Sequence, residues 1–231
     1  MKRFFKQVAV VERAAGFQVT LDGKPVRTPA KAAMVLPTRA LAEAVAAEWR
    51  AQGAEIKPDT MPLTRLAGLA IDRVALRREA VVDEVAAYAG ADLVCYRAER
   101  PPRLRVRQDA CWQPLVDWAA ARYDARLKVA SGIVPLAQPA EVIESYRRVV
   151  AAFDDMMLAA LRAAAAACGS LVIALALREG RLDAVEAFEA SQLDEAFQIE
   201  QWGEDPLAAR RRAGVKADIA DAAAFMALCR G

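Results

Sequence analysis

Histidine is absent from this 231-residue chain. That removes the commonest general base, the usual activator of a nucleophile and the commonest metal ligand. A serine or cysteine nucleophile has no imidazole to activate it, and a zinc site would need thiolates and carboxylates alone. Glycine is sparse, with 11 residues and no cluster ahead of a helix, so a phosphate-cradling loop is missing. The four cysteines, Cys95, Cys111, Cys168 and Cys229, show no paired metal or redox spacing. They read as small buried hydrophobes in a reducing compartment. Long hydrophobic runs are lacking too, since the most apolar stretch, Leu171 to Leu177, is far too short to span a membrane. Neither sign of charge dominates: 32 basic and 30 acidic side chains leave a formal +2. That balance gives no global pull toward nucleic acid or anionic membrane. No metal, cofactor or membrane insertion is expected. The start, Met1-Lys2-Arg3-Phe4-Phe5-Lys6, is basic, but neither an apolar signal segment nor a long Arg/Ser-rich transit stretch follows. The expected location is the bacterial cytoplasm, or the mitochondrial matrix if the chain is eukaryotic.

What is present suffices for a sizeable core, because 56% of the residues are apolar. The first third has strand character: Val8 and Val10, then Phe17, Val19 and Leu21, alternate with other residues. Ala14-Ala15-Gly16 and Asp22-Gly23 supply turns. Ala33 to Leu36 is a further strand candidate. Thr38 reads as the cap of a helix carrying Leu41, Val45 and Trp49, and Thr64 as the cap of a second with Leu66, Ile71 and Val74. From about Ala80 the alternation gives way to alanine-rich amphipathic runs: 81–89, 109–123, 139–168, 170–178, 182–202 and 205–228. The fold class is therefore α+β, a small strand-and-helix domain over 1–82 followed by a helical domain over 83–231.

Carboxylate pairs such as Asp154-Asp155 and Asp194-Glu195 point about 100° apart on a helix, which suits solvated surface better than acid–base chemistry. Arg97, Arg100, Arg103, Arg105 and Arg107 form a basic strip opposed only by Glu99. Two readings stand for it: a strip that binds phosphate or acid, or a connector whose arginines pair with nearby acidic helices. No aromatic residue between Arg97 and Arg107 is available to stack bases, so nucleic acid is disfavoured.

The segment from Ser191 to Asp205 is the most informative. On a helical wheel Leu193, Ala196, Phe197 and Ile199 share one arc, and Ser191, Asp194, Glu195, Gln198 and Gln201 the other. Glu200 falls inside the apolar arc and Trp202 among the polar residues. Either Glu200 pairs with an arginine in the core while Trp202 covers a loop, or the two mark a recognition surface.

Several blocks occur in order: Arg3-Phe4-Phe5-Lys6, Leu21-Asp22-Gly23-Lys24-Pro25-Val26-Arg27-Thr28-Pro29, Met61-Pro62-Leu63-Thr64-Arg65-Leu66-Ala67, Ala70-Ile71-Asp72-Arg73-Val74, Asp92-Leu93-Val94-Cys95-Tyr96-Arg97, Gly169-Ser170-Leu171-Val172, and Leu193 to Asp205. Together they resemble the assembly chaperone family of the ATP synthase catalytic head, the member that binds the alpha subunit. The resemblance implies a strand-and-helix N-terminal domain, a helical C-terminal domain and no enzymatic activity. It implies that the chain holds unassembled alpha subunit, masks its beta-facing surface and yields to beta. It also implies an essential acidic residue in the acidic–Trp-Gly segment, matched first to Glu200 and second to Glu204. Partner-binding candidates are thus Glu200, Trp202, Glu204, Asp194, Glu195, Gln198 and Gln201, with Arg97, Arg103, Arg105 and Arg107 as the basic strip. The free chain is expected to be monomeric. Two departures from the family pattern are mild: Phe197 stands where tryptophan is common, and Pro206 where a charged residue is common. The alternative is an enzyme acting on an anionic substrate, which would need several of Arg65, Arg73, Arg97 and Asp72 in one pocket.

Overall fold

The structure is a computed structural model that describes residues 1–132, 134 and 136–230. The chain divides into two compact units. The first comprises residues 1–78 and 154–160 and the stretch from Ala224 onward; the second comprises 79–153 and 161–223. The change of texture in the sequence places a boundary at 82/83; the compact units divide at Arg78/Glu79, and the first also takes in the two later segments.

The first unit is built on a three-stranded antiparallel sheet in the order β1 (Val8–Arg13), β2 (Gly16–Leu21), β3 (Lys24–Pro25). The turn joining β2 to β3 places Asp22 at φ 49° and Gly23 at φ 79°, the left-handed pair that suits the twist of a tight hairpin. The Asp22 carboxylate also accepts from the Gln7 amide at 2.8 Å, which fixes the entry to β1. Ala33 to Leu36 contributes only isolated bridges, Arg27 to Ala33 and Phe17 to Leu36, rather than a strand. Helix α1 (Arg39–Arg50) starts where expected: Thr38 Oγ1 accepts from the Leu41 amide at 3.1 Å. Its buried face carries Leu41, Ala42, Val45 and Ala46.

Helix α2 (Pro62–Leu69) starts two residues before Thr64 and is capped from outside. Glu48 on α1 accepts from the amides of Leu63 at 2.7 Å and Thr64 at 2.8 Å. A carboxylate on the first free amides of a helix satisfies donors that have no partner in the helix itself. Glu48→Ala is expected to cost about 1–2 kcal/mol, or roughly 3–6 °C in melting temperature, measured by calorimetry.

Among the described residues the second unit is helical apart from β4 (Tyr96–Arg97), paired in parallel with β5 (Ala130–Ser131). Its helices are α3 (Arg78–Ala86), α4 (Pro102–Tyr123), α5 (Ala140–Ala151), α6 (Asp155–Cys168), α7 (Leu171–Glu179), α8 (Ala184–Ser191), α9 (Leu193–Trp202) and α10 (Pro206–Arg230). The ends of α3, α6 and α10 are assigned to the first unit. Helix α4 begins at Pro102, seven positions earlier than the sequence pattern marks. The run 139–168 is two helices, divided where Asp154 Oδ1 accepts from the Met157 amide at 2.8 Å. The run 182–202 is also two, divided at Gln192. Trp112, Tyr146, Leu161, Leu171, Ile173 and Leu175 are wholly buried. Buried with them is Asp92, whose carboxylate accepts from the amides of Val94 at 3.2 Å and Val172 at 3.0 Å. It supplements the Ser170 cap, which accepts from the Ile173 amide at 3.0 Å, at the start of α7. The observed class is α+β with a helical C-terminal part.

Candidate functional site

Helices α4 and α9 bring the sequence candidates together within the second unit. Arg107 on α4 donates to Glu200 on α9 at 2.7 Å and lies over the Phe197 ring, 5.3 Å from its centroid. Nearly two turns back along α9, Asp194 accepts from Gln108 Nε2 at 2.7 Å. Gln108 is buried, and its Oε1 accepts from the Ala98 amide at 2.7 Å. Trp112, one turn further along α4, donates from Nε1 to the Ala190 carbonyl at 2.8 Å. The spacing Gln108 to Trp112 puts both on one face of α4, against the end of α8 and the start of α9.

The two carboxylates of α9 differ in character. The hydrogen bond from Arg107 holds Glu200 below the usual glutamate range, and Glu200 raises the Arg107 guanidinium in return. Burial pushes Asp194 above the usual aspartate range, against the opposing bond from Gln108. Glu200 is exposed, not in the core, although the wheel put it in the apolar arc. The helix starts only at Leu193 and Phe197 alone is fully buried, so the apolar arc is narrower than a longer helix would give.

Trp202 is 79% exposed and ends α9. Gly203 then turns the chain at φ 81°, a conformation open to glycine. Asp205 Oδ1 caps α10 by accepting from the Leu207 amide at 2.8 Å, and Leu207 is itself 76% exposed. Glu204 accepts from Arg212 at 3.0 Å. Gln198 and Gln201 are exposed, and Glu195 is half-buried. The tip between α9 and α10 thus presents two large apolar side chains rimmed by carboxylates and amides. Leu207 is not among the sequence candidates, and its position just after Pro206 and close in sequence to Trp202 is the signal that points to it.

The basic strip does not exist as one surface. Arg97 is buried, donating to Asp109 at 2.8 Å with its guanidinium over Trp112, 5.4 Å from the ring centroid. Arg105 also donates to Asp109, at 3.1 Å. Burial alone would raise Asp109, but these two arginines hold it below its usual range. Because 103–107 is helical, Arg103 and Arg107 share one face while Arg105 turns away. Of the residues an anionic-substrate enzyme would draw on, Arg65, Asp72 and Arg73 lie in the first unit and Arg97, buried on Asp109, in the second. Asp72 is occupied in tying a loop, accepting from Thr28 Oγ1 at 2.6 Å and the Ala30 amide at 2.9 Å.

All four cysteines are free thiols, and burial pushes Cys95 and Cys168 up to about 12. Among the described residues no group of three or more Cys, Asp or Glu is placed to hold a metal ion, and no helix is long and apolar enough to cross a membrane.

The family model for the ATP12 chaperone protein matches residues 2–120, more than half of the chain. The chain belongs to the ATP12 chaperone family. This is a family of ATP synthase assembly chaperones. The crystal structure of Atp12 from Paracoccus denitrificans is 41% identical, with a TM-score of 0.95 over 99% of this chain and 98% of that one. An Asp-to-Lys mutant of the same P. denitrificans protein gives the same TM-score of 0.95 at 40% identity. Among curated ATP12 proteins, mitochondrial atp12 of Schizosaccharomyces pombe is 22% identical over 214 residues, 87% of this chain and 74% of that protein.

Proposed function

We propose that this ATP12-family chain holds the unassembled alpha subunit of ATP synthase, masks the surface that alpha later offers to beta, and is displaced when beta arrives. Family membership carries the reading, and the α9–α10 tip supports it. An isolated subunit of a ring exposes apolar surface meant for its neighbour, and such surface aggregates. A chaperone that covers part of it lowers the free concentration by mass action, and a larger, tighter interface with beta replaces it without nucleotide hydrolysis. The chain acts by binding and not by catalysis, as a monomer before capture, in the bacterial cytoplasm or the mitochondrial matrix.

An exposed tryptophan set among polar groups has the composition of an interface hot spot. Its contacts within the chain are few, so its loss should spare the fold. Trp202→Ala is expected to change the melting temperature by less than about 2 °C and to weaken capture of alpha about tenfold or more. The reading is tested by expressing alpha alone with and without this chain. Rescued solubility and one-to-one co-elution on size exclusion are expected. Alpha that stays insoluble and unattached in both cases overturns the reading.

A further inference from the structure

Strand β1 forms an open edge of the first unit's sheet. Its register with β2 sets which peptide groups are used. The turn Ala14-Ala15 joins Arg13 to Gly16, and the Asp22 amide donates to the Gln7 carbonyl at 3.0 Å. In an antiparallel pair the bonded positions alternate. Ala9, Val11 and Arg13 therefore spend their peptide groups on β2, while Val8, Val10 and Glu12 point theirs away from the sheet. On its other side β2 is already covered, since the Val26 amide donates to the Val19 carbonyl at 2.9 Å and Phe17 exchanges bonds with Leu36. Among the described residues nothing bonds the outward peptide groups of Val8, Val10 and Glu12.

Such an edge is a template for another strand, and proteins commonly blunt it with proline, bulges or inward charge. Here Val-Ala-Val-Val fills its first four positions with strand-favouring or small residues, and the pairing with β2 runs without a bulge. Charge sits at the two ends instead. Lys6 and Arg13 are exposed and enter no ion pair among the described residues. Arg39, also exposed, reaches Glu12 at 3.0 Å and neutralises the acidic side chain on the strand. Residues 1–31 carry Lys2, Arg3, Lys6, Arg13, Lys24, Arg27 and Lys31 against Glu12 and Asp22.

From the open peptide groups and the cations at both ends we infer that β1 takes up an extended, acid-flanked segment of the client protein as a fourth strand. The inference rests on the reading of the chain as a chaperone and gives the client a second point of attachment, on the first unit, besides the α9–α10 tip. Backbone bonds would give affinity with little demand on sequence, and the flanking charges would choose the segment. A second copy of this chain is the competing occupant, since antiparallel self-pairing centred on Val10 would set Lys6 opposite Ala14 and Arg13 opposite Gln7; the test separates it by its dependence on protein concentration.

The test uses the full chain and a short peptide of alternating valine and threonine with glutamates at both ends. Hydrogen exchange of the Val8, Val10 and Glu12 amides is expected to slow about tenfold or more on binding, with Ala9 and Val11, already bonded to β2, little changed. The same peptide ended in lysines is expected not to bind. Val10→Pro removes one outward donor without touching the β2 ladder, a position where an edge strand tolerates proline, and is expected to weaken binding about tenfold. If that variant does not fold, Lys6→Glu with Arg13→Glu serves instead and should reverse the preference between the two peptides. Failure of the acidic peptide to protect these amides overturns the inference, as does their protection by concentration-dependent dimerisation. With alpha subunit in place of the peptide, protection of the three amides is expected. Alpha held without that protection overturns the edge site and leaves the chaperone reading. Peptide protection with no capture of alpha overturns the chaperone reading and leaves an edge that binds acidic extended segments.

Discussion

Glu200→Lys is expected to abolish capture of the alpha subunit while the chain still folds. Glu200 and Arg107 form an exposed pair, about half accessible on both sides. Such pairs add little to folding because water already solvates each charge well. A lysine at 200 would face Arg107, and the two would part into solvent at a cost of no more than about 2–3 °C in melting temperature. At an interface the consequence differs. A charge that becomes buried against a partner and is then reversed leaves the partner's group desolvated and opposed, a loss of about 30-fold or more in affinity. Glu200→Gln, which keeps the shape and one acceptor, should fall between. Titration of alpha against the three forms, with melting curves beside it, checks this. Undiminished capture by the lysine form would remove Glu200 from the site.

The largest expected effect on stability lies at Asp92. Burial pushes its carboxyl up to about 6, and that desolvation outweighs the hydrogen bonds from Ser170, Val172, Val94 and Leu171. Asp92→Ala leaves the Val94 and Val172 amides buried without partners and should cost about 3–4 kcal/mol, near 6–16 °C for a chain of this size. The raised value also sets a direction with pH. Below about pH 4 both folded and unfolded chains hold the proton. Between about pH 4 and 6 the unfolded chain ionises while the folded chain keeps its proton, so folding takes up a proton and stability falls as pH rises. Above about 6 both are ionised and the fall is complete, amounting to about 3 kcal/mol. Asp92→Asn lacks this slope. Urea unfolding at pH 4 and pH 7 should show the wild type losing stability relative to Asp92→Asn by that amount. A constant difference between the two proteins would mean that the carboxyl titrates in its ordinary range.

The elements that local chemistry determines were legible in the sequence. The hairpin of β1 and β2 shows in the alternation of Val8 to Leu21 and in its short turns, and the Thr38 cap follows from side-chain type alone. The ordered blocks were legible as a family resemblance. What escaped depends on partners distant in the chain. Thr64 resembles a cap, but Glu48 supplies the cap from another helix, so α2 begins earlier. Arg103-Leu104-Arg105-Val106-Arg107 alternates like a strand, yet the start at Pro102 and the bonds of Arg107 and Gln108 to α9 make it helical. Arg97 reads as part of a surface strip, and only the fold reveals Asp109 and the Trp112 ring waiting for it. At the candidate site the wheel sets Glu200 in the apolar arc and Trp202 among the polar residues, and the structure exposes both. The wheel could not show that Arg107 would draw Glu200 to the surface, because the arginine lies 93 positions away.

The central claim is that this chain occupies alpha only until beta replaces it. Its most direct measurement is to purify the complex of this chain with alpha, add beta, and follow the masses by light scattering on size exclusion. Release of the free 25.0 kDa chain alongside an alpha–beta species, with no nucleotide present, is the predicted result. Beta that leaves the complex intact, or alpha that was never held, would contradict it.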